Sequence, residues 1–124
     1  IYLYQRDLRE LQLATGAIRA GISIMLRRVG LEPHDLDAVL LAGGFGNYIR
    51  RENACRIGLL PELDHTRIYF VGNASSMGAK AALLCQQART LAETIAGTSE
   101  HLDLSLDPEF QMAFAMAMMF PETT

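Results

Sequence analysis

Apolar residues recur at steps of three and four between Arg6 and Val29, which predicts one long amphipathic helix over 5–29. The apolar positions are Leu8, Leu11, Ala14, Ile18, Ile22, Met25 and Val29. Gly30 follows directly, where a left-handed glycine commonly ends a helix. Gly16 and Gly21 lie within this helix and cost about 1 kcal/mol each against alanine. Close packing against a sheet or a ligand would justify that cost, and a kink near Gly16 is the alternative.

Two continuous apolar runs, 38–43 and 67–72, predict strands that are buried on both faces. Both runs end in glycine. A short strand is also predicted over 1–4, and the alternation of 101–106 predicts an edge strand.

Further helices are predicted near Glu52–Ile57, over 73–96 with Asn73 as N-cap, and from Pro108 to about Met119. Whether the second of these runs on or restarts within its length is left open. Strands and helices therefore alternate along the chain. This order predicts a single α/β domain over 1–124, with a mainly parallel sheet flanked by helices.

Glycines cluster where the two apolar strands end, at 42–47 and at 72–78. Open α/β sheets bind ligands outside the carboxyl ends of their strands, and a helix N-terminus there offers unpaired N–H groups. Ile49 stands where a dinucleotide fingerprint would have its third glycine, and no phosphate-loop motif is present. Either the glycines admit a ligand to the backbone, or they let strand and helix pack closely.

Composition removes several classes of function. The net charge is −3 with mixed signs, so no basic face for nucleic acid is expected, and no apolar run is long enough for a membrane span. The two cysteines, Cys55 and Cys85, are too few for a four-thiolate cluster and are predicted to be reduced core residues. This cysteine usage favours a cytoplasmic location.

Five segments together resemble one known family. They are "QRDLRELQLATGAIRAGI", "LAGGFGNY", "RIGLLP", "VGNASSMGAKAALL" and a final "FPE". In this order they resemble the C-terminal half-domain of actin-like ATPases, a ribonuclease H-like fold shared by sugar kinases and heat-shock chaperones. Within that superfamily the chain is most similar to the ATP-dependent reductive activators of corrinoid proteins. The resemblance covers the chain from Gln5 to about Pro121.

The resemblance implies roles for particular residues. It implies a nucleotide site in which backbone glycines lie flat against adenosine, flanked by the start of the next helix and by the helix that borders adenine. The implied nucleotide-binding residues are Gly43, Gly44, Phe45, Asn47, Gln12, Thr15, Asn73 and Ala74. Thr15 stands where the family usually has lysine. Gly78 and Ala79 correspond to the interdomain hinge, and no residue is assigned a catalytic or metal-binding role.

The resemblance also implies that the chain is one lobe of a longer iron–sulfur protein. ATP with Mg²⁺ would be bound jointly with an N-terminal lobe of the same chain, and a [2Fe–2S] cluster would belong to an N-terminal domain. The implied partner is a corrinoid protein, reduced from Co(II) to Co(I); a homodimer is a further expectation. The chain alone is expected to be inactive. Two alternatives are an activator of another redox enzyme and an α/β interaction module without nucleotide.

Overall fold

The computed structural model describes residues 2–44 and 48–121. The chain forms two compact units. One comprises residues 2–39, 49–68 and 103–121, and the other comprises residues 40–44, 48 and 69–102. The elements in chain order are α1 (Gln5–Arg28), β1 (Val39–Ala42), α2 (Arg51–Arg56), β2 (Ile68–Gly72), α3 (Ala74–Leu84), α4 (Gln86–Thr98) and α5 (Phe110–Ala117).

The long helix α1 ends as its sequence predicts. Gly30 adopts φ +69° and donates its N–H to Arg27 O, while Leu31 donates to Leu26 O. This pair of bonds is a Schellman motif, which satisfies carbonyls left over at a helix C-terminus. The predicted helix over 5–29 is therefore confirmed to within one residue.

The first unit is organised around antiparallel packing of α1 against α5. Arg27 pairs with Glu109 at 3.2 Å and Arg28 with Asp107 at 3.3 Å, where α1 ends and α5 begins. Farther along, a Cβ built on Gly16 would lie 3.1 Å from Met118 Cγ. Gly16 thus permits a close approach of α5, whereas the sequence had indicated packing against a sheet or a ligand. The buried apolar residues beneath are Ala20, Ile24, Ala54, Leu60 and Ile68.

The second unit contains most of the sheet, together with α3 and α4. Among the described residues the sheet has two strands, β1 and β2, which run parallel. Asn73 then caps α3, since its Oδ1 accepts the Ser76 N–H at 3.0 Å. Cys85, with φ −134° and ψ 120°, breaks the helical path, and α4 restarts at once. The mixed α/β class with a small parallel sheet is as predicted.

Several local expectations were wrong. Residues 2–4 form no strand, and 101–106 contains a 3₁₀ turn at Leu104–Leu106. In that turn the Asp103 carboxylate accepts the Ser105 N–H at 3.0 Å and its hydroxyl at 2.6 Å, which bends the chain out of a strand path. α5 begins at Phe110, two residues later than predicted, because Asp107 holds Pro108 and Glu109 in a turn. Asp107 Oδ1 accepts the Glu109 N–H at 2.9 Å, and Asp107 O accepts the Phe110 N–H at 3.1 Å.

The burial predictions also differ from the structure. β1 alternates between half-buried and exposed positions, because a sheet of two strands covers few of its side chains. Cys85 is exposed at the helix break, and Cys55 is half-buried; both thiols are free. The methionine-rich α5 exposes Met112 and Met116. No helix in the described ranges has the length and apolar character that crossing a membrane requires.

Candidate functional site

The carboxyl ends of β1 and β2 meet at a corner of glycine backbone. Gly43 adopts φ +93° and Gly72 adopts φ +62°, a region that side-chain-bearing residues rarely occupy. The Gly43 N–H donates to Gly72 O at 2.7 Å, which joins the two strand ends. Backbone conformation therefore explains glycine at these two positions. We call Gly43, Gly44, Gly72 and Asn73 the glycine corner.

Glycine at Gly44 needs a different explanation. Its φ lies outside the left-handed region, and a Cβ there would meet no described atom within 4 Å. Gly78 on α3 shows the same two properties. At Gly16, by contrast, a Cβ would lie only 3.1 Å from Met118 Cγ. Close packing within the described residues thus accounts for Gly16 but for neither Gly44 nor Gly78.

The start of α3 supplies polar groups beside the glycine corner. Asn73 is exposed, and its Oδ1 is committed to the Ser76 N–H. Its amide NH₂ has no partner among the described residues, so two donors remain available to a ligand. The first turn of α3 carries no acidic residue, which leaves the positive end of the helix dipole uncompensated. Such an end suits a polar or anionic ligand edge.

The structure brings together part of the set that the resemblance implies. Gly43, Gly44, Asn73 and Ala74 all belong to the second unit, where Ala74 is half-buried at the first turn of α3. Gly78 and Ala79 lie exposed on the same helix. Phe45 and Asn47 lie outside the described residues.

Gln12 and Thr15 lie on α1 in the first unit. Gln12 is half-buried. Thr15 is only 4% exposed, and its hydroxyl donates to Leu11 O at 2.9 Å. The hydroxyl proton is thus used by the helix itself, which leaves the oxygen lone pairs for any other contact. Nucleotide binding by these two residues stays a prediction.

Within residues 2–44 and 48–121, the pKa values of Cys55 and Asp64 are shifted. Burial raises the pKa of the Cys55 thiol, against the lowering effect of a backbone hydrogen bond from Leu63. The Thr66 N–H lowers the pKa of the exposed Asp64 carboxylate. Neither group belongs to the glycine corner, and Asp64 acts as a local cap. Across residues 2–44 and 48–121, no three His, Cys, Asp or Glu side chains are grouped to hold a metal ion.

Sequence reasoning missed a groove of about 660 Å³ in the first unit. Its walls come from the second half of α1 and residues 31–33, from α2 and residues 58–65, and from Pro121. The apolar lining includes Ile22, Leu26 and Leu60. Three arginines and three glutamates also line it, so its charges balance. No local motif marks this groove, because its residues come from segments far apart in the sequence.

The glycine corner thus belongs to an α/β lobe with a ligand-accessible backbone edge. The family model described as the C-terminal domain of RACo, the ASKHA domain, matches residues 1–124. The chain belongs to this family.

Two related proteins and one solved structure agree with this assignment. The chain is 35% identical over 120 residues to the corrinoid activation enzyme RamQ of Eubacterium limosum, covering 97% of this chain and 20% of that protein. It is 31% identical over 84 residues to the [Co(II) methylated amine-specific corrinoid protein] reductase of Methanosarcina barkeri, covering 68% of this chain and 15% of that protein.

The solved structure of a reductive activator for corrinoid, iron-sulfur protein superposes with a TM-score of 0.87 at 38% identity. That match covers 98% of this chain and 19% of the solved one. The chain therefore spans about a fifth or less of the length of each relative. The predicted resemblance is confirmed, as is the fold that it implied.

Proposed function

We propose that this chain is the nucleotide-binding C-terminal lobe of an ATP-dependent activator that reduces a corrinoid methyl-transfer protein from Co(II) to Co(I). The observation that carries the proposal is the bare glycine corner in a chain of the corrinoid-activator family. Gly44 is open in a position where neither conformation nor packing among the described residues calls for glycine. The names of the relatives supply the corrinoid partner.

The residues present fit an adenosine group. The backbone of Gly43 and Gly44 offers a surface free of side chains, and Asn73 offers two amide donors beside the helix N-terminus. A side chain at Gly44 would fill the space that the adenosine would use. Phe45, Asn47, Gln12, Thr15 and Ala74 complete the proposed set. When bound, ATP would supply binding and hydrolysis energy to shift the two lobes between arrangements.

Mg²⁺ and the phosphate groups would be held largely by the N-terminal lobe of the same protein. Gly78 and Ala79 would let α3 approach that lobe closely at the hinge. The chain's own thiols do not fit a [2Fe–2S] cluster, because Cys55 and Cys85 are two cysteines and the cluster takes four thiolates. The cluster ligands would therefore lie elsewhere in the protein. The two free thiols support a reducing, cytoplasmic setting.

The test is calorimetric titration of the full-length protein with a non-hydrolysable ATP analogue. Gly44→Val should abolish binding, whereas Gly97→Ala, at another open glycine, should leave it unchanged. A Cβ at either position would meet no described atom within 4 Å, so a loss confined to Gly44→Val, in a variant that remains folded by circular dichroism, reports contact with the nucleotide. Equal binding by wild type and Gly44→Val would refute the adenosine site. Anaerobic spectroscopy of Co(I) formation on an added corrinoid protein then tests the proposed activity.

A further inference from the structure

Helix α4 lacks the packing that normally stabilises a helix of its length. None of its 13 residues is buried, and Leu91 and Ile95 are 60% and 55% exposed. Isolated helices of this length are marginal in water, because most helical stability in proteins comes from burying an apolar face. Ala88, Leu91 and Ile95 share one side of the helix, at spacings of three and four. We call these three residues the α4 apolar face.

The polar groups of α4 are already satisfied within the helix. Three threonine hydroxyls donate to carbonyls four residues earlier: Thr90 to Gln86 O at 3.2 Å, Thr94 to Thr90 O at 3.0 Å and Thr98 to Thr94 O at 3.1 Å. Burying a hydroxyl costs much less when its hydrogen bond is already made. These threonines therefore add little to the cost of removing water from α4.

A side-chain hydrogen bond crosses the corner between α3 and α4. Cys85 ends α3 by donating its N–H to Ala81 O at 2.9 Å, and its own O accepts the Arg89 N–H at 3.1 Å in the first turn of α4. Arg89 Nε reaches back from α4 to Ala82 O on α3 at 3.2 Å. α4 therefore follows directly on the helix that carries the proposed hinge residues Gly78 and Ala79.

We infer that the α4 apolar face is covered by the region that precedes this domain in the full-length protein. The inference rests on the proposed function, in which the chain is one lobe of a longer polypeptide. About four fifths of each relative lies outside the matched region, and the family places this domain at the C-terminus. Docking of α4 would extend the contact between the lobes beyond the hinge, from α3 onto the helix that follows it.

The test is hydrogen exchange of residues 86–98 in the full-length protein. The wild-type segment should be protected, and Ile95→Asp should raise its exchange rate at least ~10-fold by removing the docking contact. Ala96→Asp is the matched control: it places the same side chain one residue later, about 140° around the helix from Leu91. The control should retain the protection.

Three other outcomes of the exchange experiment would overturn the inference. Equal effects of Ile95→Asp and Ala96→Asp would show that the helix is not docked through its apolar face. Protection that disappears on dilution together with dimers would assign the face to a second copy. Protection that arises only with added corrinoid protein would assign it to that partner. ATP-analogue binding measured on the same samples separates these failures from failure of the proposed function.

Discussion

Two glycines inside helices should respond oppositely to the same substitution. Gly78→Ala places a methyl group where no described atom lies within 4 Å, at a backbone conformation that alanine adopts readily. Alanine is favoured over glycine inside a helix by about 1 kcal/mol, because glycine loses more backbone entropy on folding. We expect Gly78→Ala to raise the free energy of unfolding of this chain by about 0.5–1 kcal/mol.

Gly16→Ala receives the same helical gain but also introduces a steric conflict. The new Cβ would lie 3.1 Å from Met118 Cγ, 3.2 Å from its backbone N and 3.3 Å from its Cα. The backbone of Met118 has little freedom to retreat, since Arg19 holds the next residue through Met119 O at 3.2 Å. Overpacking costs about 1–3 kcal/mol, so the net effect should be a loss of about 0–2 kcal/mol.

Urea unfolding of the two variants, followed by circular dichroism, measures both effects. The midpoints should move in opposite directions with unchanged slopes. Stabilisation by Gly16→Ala equal to that by Gly78→Ala would refute the close α1–α5 packing. In the full-length protein, Gly78→Ala should in addition impair ATP turnover, since the hinge would no longer close. Full turnover in a stabilised variant would contradict the proposed hinge role of Gly78.

Three further predictions concern single side chains. Asn73→Ala should destabilise α3 by about 1 kcal/mol in urea unfolding through loss of the cap, whereas Asn73→Asp keeps the acceptor and should restore most of that stability. The pKa of the Asp64 carboxylate is lowered by folding, so its contribution to the free energy of unfolding should be complete above the pKa of the unfolded chain and should fade as the pH falls through the folded pKa. A difference in the free energy of unfolding between wild type and Asp64→Asn that persists undiminished in acid would contradict this. Titration with an aromatic disulfide should modify the exposed Cys85 before Cys55, because burial raises the pKa of the Cys55 thiol. Single serine variants identify which thiol reacts first, and the reverse order would refute the burial of Cys55.

Much of the fold could be predicted where local signals agree. The 3.6-residue period over α1, the left-handed glycine that follows it and the Asn73 cap are each set within a few residues of chain. Both central strands were also located to within a residue or two, because apolar runs bounded by turn residues admit few other structures.

Predictions failed where a distant or competing contact decides. Residues 101–106 alternate like a strand, yet the Asp103 carboxylate captures the Ser105 N–H and forms a turn. The sequence left open whether the helix over 73–96 runs on or restarts, and the structure decides it, since Cys85 separates α3 from α4. The groove in the first unit was missed because segments distant in the sequence line it: residues 19–33, residues 52–65 and Pro121.

The sequence by itself determined the main helices and both central strands, the position of the glycine corner and, through the order of its motifs, the family. These depend on local backbone preference and on residue identity, both of which can be read from one segment of the sequence at a time. Only the tertiary structure distinguished the glycines. Gly16 permits helix packing, Gly43 and Gly72 permit left-handed turns, and Gly44 and Gly78 lie open. That distinction depends on which atoms lie within a few ångströms of each Cα, and distances between segments remote in sequence exist only once the chain has folded.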